Sequence, residues 1–187
     1  AVFTMADVPG HTDIGPVFPG DPVLAGEVVE HIGQPIFAVA ATSHTAARKA
    51  AKLAEVEYED LPAIFDTREA LAKQFFVRPS HTQQRGDPDA ALAAAPHRLQ
   101  GEINVGGQEH FYLEGQACLA LPQEDGGMFV HTSSQHPAEV QKLVAEVLGI
   151  PLHAVTASVR RMGGGFGGKE TQAAPVACVA ALLANAT

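Results

Sequence analysis

The sequence contains no tryptophan and only two cysteines among its 187 residues. Cys118 and Cys178 have no paired spacing, so this chain can assemble neither a disulfide framework nor a cysteine-held iron–sulfur cluster. Both sit in apolar stretches, Cys178 within VACVAALLA, and read as small buried hydrophobes rather than nucleophiles. Positive charge is also short, with 12 Lys+Arg against 21 Asp+Glu and a formal charge of −9. Such a surface repels a phosphate backbone, which argues against nucleic acid as a partner. No apolar run approaches the roughly 20 residues that span a bilayer. The opening AVFTMADVPG also lacks a basic stretch leading into an apolar one. The expectation is a chain with no membrane span and no signal peptide, in a reducing, cytoplasmic location.

What is present is globular in composition, 46% hydrophobic and 18% charged, and long enough to bury a core. The first 20 residues hold three glycines and three prolines without a sustained period and read as loop, or as the tail of an element that starts earlier. Ile36–Ala41 reads as a strand, Thr45–Val56 as a helix with Ser43 as its N-cap, and Val56–Glu59 as a second strand. From Thr67 to His97 the pattern weakens to a short helix and a Pro-, Gly- and Asp-rich connector. Beyond it Arg98–Val105, Phe111–Leu121 and Met128–Thr132 read as strands of an antiparallel sheet. His136–Leu148 is the clearest helix, with a first-turn proline and Gly149 and Pro151 as stop signals. A strand over Ala154–Arg160, a glycine run and a buried helix over Thr171–Ala184 complete the chain. The class is α+β, divided into 1–66, a connector over 67–97, and 98–187.

Gly163–Gly168 carries five glycines in six positions, a density a fold tolerates where backbone must run close to something. A strand before it and a helix after it would direct amide N–H groups at an anion. Gly163, Gly165 and Gly168 fit the dinucleotide fingerprint, but its acidic ribose partner, due about 20 residues on, is absent. Gly163, Gly168 and Lys169 trace a phosphate-binding loop, but Glu170 stands where a Ser or Thr must hold magnesium. A tightly packed turn with no ligand is the remaining reading. Arg160, Arg161 and Lys169 form a basic cluster that could steer an anion or simply lie solvated or ion-paired at the surface. Gln108, Glu109, His110 and Glu114 could bear chemistry. Their alternation, with His110 and Tyr112 on one face and Phe111 and Leu113 on the other, favours a hydrogen-bonded structural role. The nine histidines show no His-x-x-x-His pair or other zinc-ligand spacing.

Taken together, GGQEHFYLEGQ (106–116), TSSQHPAEVQKLVAEVLG (132–149) and VRRMGGGFGGKE (159–170) resemble the molybdenum-binding subunit of xanthine dehydrogenase, in the xanthine oxidase family of molybdenum hydroxylases. The resemblance covers most of the chain. It implies the end of an α/β hammerhead domain followed by the first part of a molybdopterin-binding α+β domain, a fragment of a longer subunit. The implied reaction is oxidative hydroxylation of hypoxanthine and xanthine to urate. Water is the oxygen source, and electrons pass through 2Fe-2S clusters and FAD, on a partner domain or subunit, to NAD.

The resemblance also assigns residues. Gln135 takes the place of the glutamine that hydrogen-bonds an oxygen on molybdenum, a role its neutral amide donor suits without making it a metal ligand. Capping of the following helix is the plainer alternative. Phe166 and Gly167 take the positions whose backbone lies against the pterin and the metal, where a missing Cβ permits approach and an aromatic excludes water. Alternatively Phe166 anchors the loop in the core. Glu170 takes the place of the substrate-facing glutamate of purine-hydroxylating members, able to accept from ring N–H groups. Its alternative is a first-turn glutamate complementing a helix dipole. Related aldehyde oxidases carry an apolar residue there, so Glu170 points to a purine. No direct protein ligand to the metal is implied, and the general base and the purine clamp belong to later segments of the subunit, so this stretch alone should be inactive. An aldehyde oxidase-like hydroxylase and a nucleotide-binding enzyme of the phosphate-loop type are the alternatives.

Overall fold

A computed structural model describes all residues from Ala1 to Thr187. Residues 1–54 and 108–187 form one compact unit and residues 55–107 a second.

The larger unit is built on a three-stranded sheet of β3 (Cys118–Pro122), β4 (Met128–Thr132) and β5 (Val155–Ser158), in that order. Along β4 the side chains alternate, with Met128 and Val130 buried and Phe129 and His131 on the opposite face, the period of a half-buried strand. The β3–β4 pair is antiparallel, with Ala120 opposite Val130, whereas β4 and β5 run parallel, with Val130 opposite Ala157. The antiparallel pairing expected of the strands ending at Leu121 and Thr132 is present, and β5 adds a parallel edge that makes the sheet mixed. The reason lies in α4 (Pro137–Leu148), which is the crossover that a parallel connection requires. Proline opens α4 at its first position, where its missing N–H costs nothing, and Gly149 closes it in the left-handed conformation at φ 66°. Val140, Leu143, Val144 and Val147 face the core from α4. Ala174, Ala177, Cys178 and Ala181 of α5 (Ala173–Ala186) complete it. Cys178 is a buried thiol whose pKa is pushed up by desolvation, and Cys118 is pushed up to about 11 for the same reason, as expected of packing residues.

The amino-terminal stretch packs into the same core through Ile14 and Val23. The Gly10 and His11 amides donate to the Val147 and Glu146 carbonyls at 2.9 and 2.8 Å, satisfying acceptors that the end of α4 leaves open. Asp13 accepts from the Gly15, Gly20 and Asp21 amides, which closes the loop between them and lowers the pKa of its carboxyl. Two short strands, β1 (Val2–Phe3) and β2 (Ala38–Val39), pair antiparallel. Helix α1 (His44–Ala51) begins as expected at Ser43, whose Oγ accepts from the Ala46 amide at 3.1 Å.

The second unit holds α2 (Thr67–Ala72) and α3 (Pro88–Ala94), each capped by an aspartate, Asp66 and Asp87, on the amide three residues on. None of its residues is buried. The strands expected at Val56–Glu59 and Arg98–Val105 do not form. Their alternation is real, but no strand of the chain lies beside them to take up their backbone groups. The strand expected over Phe111–Leu121 begins only at Cys118, and Phe111 itself lies in the left-handed region at φ 52°.

Candidate functional site

The glycine run spans the passage from β5 to α5, and its shape is set by side chains reaching in from 110–116 and 133–135. Gln135 is clamped against it at both ends: its backbone N–H donates to the Lys169 carbonyl at 2.9 Å. Its side-chain Oε1 accepts from the Gly167 and Lys169 amides at 3.0 and 3.2 Å. Two donors on the oxygen fix which way the carboxamide points and leave its Nε2 amino group without a partner in the chain. Gln135 does not cap α4. That position is taken by His136, which makes no side-chain cap bond.

Gly165 and Gly168 are glycine for reasons of space. A Cβ on Gly165 would stand 2.5 Å from Gln135 Oε1, and one on Gly168 would stand 2.7 Å from both the His110 and Tyr112 rings. Those rings stack with centroids 6.3 Å apart, and Gln116 Nε2 ties the Tyr112 hydroxyl at 3.0 Å to the Gly168 carbonyl at 3.3 Å. His110 and Tyr112 thus share one face, while Phe111 and Leu113 point to solvent, as the alternation implied. Phe166 sits in the left-handed region at φ 52° with 74% of its surface exposed. A non-glycine residue held there is strained. The reading of Phe166 as a core anchor is therefore wrong. Glu170 is exposed and precedes α5, whose N-cap is Gln172, so it is not a first-turn helix residue.

Lys169 is not part of a surface cluster; its side chain is fully buried. Its ammonium donates to Glu114 Oε2 at 2.9 Å and Ser133 Oγ at 2.8 Å, and lies 4.6 Å from the centre of the Tyr112 ring. Ser133 and the Gly163 amide also donate to Glu114 Oε2. The phosphate-loop and dinucleotide readings fail on this geometry. The lysine faces inward, and the Gly163, Gly167 and Lys169 amides are already taken by Glu114 and Gln135. Sequence reasoning missed Ser133, and read Lys169 by its neighbours in the chain; the available signal was a lone lysine inside a glycine run, which needs a counter-ion.

The Ser133 hydroxyl, then the Gly163 amide and the Lys169 ammonium, hold the Glu114 carboxyl down from its ordinary 4.5 to about 2. A carboxyl depressed in the fold contributes stability that is full above its unfolded value and is lost as pH falls through its folded value. The stability difference between the full-length protein and its Glu114→Gln variant should therefore stay constant at neutral pH and shrink between about pH 4.5 and 2, as read by thermal melting across pH.

Residues 69–187 match the molybdopterin cofactor-binding domain family, and residues 1–62 match the a/b hammerhead domain of aldehyde oxidase and xanthine dehydrogenase. The chain belongs to this family of molybdopterin-binding oxidoreductases. It is 41% identical over 182 residues to a xanthine dehydrogenase of Dictyostelium discoideum, covering 97% of this chain and 13% of that protein. It is 44% identical over 177 residues to a nicotinate hydroxylase of Emericella nidulans, covering 91% of this chain and 13% of that protein. The solved aldehyde oxidoreductase of Desulfovibrio gigas superposes with a TM-score of 0.80 at 28% identity, over 98% of this chain and 22% of that one. The chain thus spans about 13% of the length of these curated relatives. The α+β architecture, a hammerhead end followed by a molybdopterin-binding domain, is the one the sequence implied. No helix is long and apolar enough to cross a membrane.

The residues present fit a bound molybdopterin. The Gly164, Gly165 and Phe166 amides have no partner in the chain, the Gln135 amino group is held unpartnered beside them, and an exposed aromatic stands in the same turn. These are neutral donors and an apolar surface, suited to an anionic, metal-bearing group held without direct protein ligation.

Proposed function

We propose that this chain forms one wall of the molybdenum centre of a purine hydroxylase that oxidises hypoxanthine and xanthine to urate. The observation that carries the reading is the double clamp on Gln135, which spends the amide oxygen on the loop and keeps the amino group as a fixed, uncharged donor. When bound, the molybdenum cofactor supplies the two-electron redox chemistry. In this reading Gln135 donates to the cofactor, the backbone at Phe166 and Gly167 lies against it, and the Phe166 ring keeps water from that side. Glu170 accepts from ring N–H groups of the purine and favours the form of the ring that takes on negative charge. Residues 1–66 are the end of the hammerhead domain, 67–97 the connector and 98–187 the start of the cofactor-binding part.

The general base lies outside this chain, as do the 2Fe-2S clusters and FAD that carry electrons to NAD on a partner domain or subunit. The cytoplasm is the location that suits free thiols. The test is elemental analysis of the purified full-length protein together with turnover of xanthine, an aldehyde and nicotinate. Stoichiometric molybdenum and a preference for xanthine are expected. Molybdenum with a preference for an aldehyde overturns the purine assignment, and absence of molybdenum overturns the whole reading.

A further inference from the structure

We propose that the Glu114–Lys169 pair is a positioning device for the Gln135 amide. The proposal rests on the reading of Gln135 as cofactor-facing. Lys169 connects the two halves of the arrangement. Its peptide group exchanges hydrogen bonds with Gln135 on both sides, giving N–H to Gln135 Oε1 and receiving the Gln135 N–H on its carbonyl. Ser134 Oγ adds a second contact to that carbonyl at 3.3 Å. Wherever the Lys169 backbone sits, the Gln135 carboxamide follows.

The Lys169 side chain fixes that backbone. Its three ammonium hydrogens are matched by a carboxylate, a hydroxyl and the face of an aromatic ring, Glu114, Ser133 and Tyr112. Glu114 Oε2 also takes the Gly163 amide at 2.8 Å, so one carboxylate oxygen pins both ends of the glycine run. Burying an ammonium is costly unless its partners are complete, so the lysine has one low-energy place and the loop one register. An apolar residue would fill the same space without setting a register, which gives a physical reason for a charge here. The Lys169 ammonium is fully buried, and the Glu114 oxygen that meets it is also taken by Ser133 and Gly163. The pair acts through Gln135.

The test uses the full-length holoenzyme and its pentavalent-molybdenum electron paramagnetic resonance signal, which senses donors around the metal. Lys169→Met keeps an unbranched stem in the enclosed space and removes the donors. Glu114→Gln, on a part-exposed side chain, keeps shape and removes charge. Both should shift the signal in the direction that Gln135→Ala shifts it, and turnover should fall about 10- to 100-fold, the cost of losing an outer partner of a metal site. In a Gln135→Ala background, Lys169→Met should add no further shift, because two residues acting through one group do not add. Wild-type signals in Lys169→Met and Glu114→Gln, or shifts that add to that of Gln135→Ala, overturn the proposal while leaving the molybdenum-site reading intact. So does failure of both variants to fold, which would make the pair a determinant of the fold alone. An unchanged signal in Gln135→Ala overturns both.

Discussion

Gly165→Ala in the full-length enzyme should lower turnover by about 100-fold, the scale on which a displacement near 1 Å acts at a reacting centre. The new methyl group would lie 2.5 Å from Gln135 Oε1, 2.7 Å from its Cδ and 2.9 Å from its Cγ. A free side chain could swing away, but this one holds the Gly167 and Lys169 amides. Relief therefore requires breaking two hydrogen bonds or moving the loop, and either displaces the donor from its place. The core under α4 and α5 lies elsewhere, so the melting temperature should drop far less than activity. Measuring kcat, molybdenum content and melting temperature on one preparation separates these effects. Near wild-type turnover would mean that the close approach of Gly165 to Gln135 has no bearing on the reaction.

Glu170→Val should cost xanthine turnover roughly 10- to 100-fold, since a hydrogen bond to a charged group is worth about 1.5–3 kcal/mol. Aldehyde turnover should hold or rise. The carboxylate is exposed and makes no hydrogen bond or ion pair within the chain, so its removal leaves no buried partner stranded and does not threaten the fold. An aldehyde offers no ring N–H to accept from, which is why the loss should be selective. Comparison of kcat/KM for the two substrates reads the split. Equal losses on both would show that Glu170 serves the loop and not the purine.

Local grammar made part of this molecule legible. Pro137 and Gly149 bracket α4, the 3.6-residue spacing of Val140, Leu143, Val144 and Val147 fixes its inner face, and Ser43 marks the start of α1. The failures share a cause, which is that a pairing partner is not written beside a segment. Arg98–Val105 alternates as a strand does, but alternation sets only which face a side chain takes, and Leu99, Ile103 and Val105 stay exposed with no neighbouring strand. The mixed sheet depended on α4 acting as a crossover, a tertiary choice that hairpin signals cannot report.

At the site, residue types and spacing found the glycine run and raised Glu114 as a hydrogen-bonded residue. The resemblance supplied Gln135. What neither could supply was the direction of Lys169, whose charge beside Arg160 and Arg161 in sequence suggested a surface. A counter-ion 55 positions away, Glu114, decides it. The same limit applies to Phe166, where composition favours burial and a left-handed backbone turns the ring outward.

The most direct measurement is pulsed electron paramagnetic resonance on the pentavalent-molybdenum state of the full-length enzyme carrying isotopically labelled glutamine amide nitrogen. A nitrogen coupling present in the wild type and missing in Gln135→Ala is the result this account predicts. Identical spectra from the two proteins would contradict it.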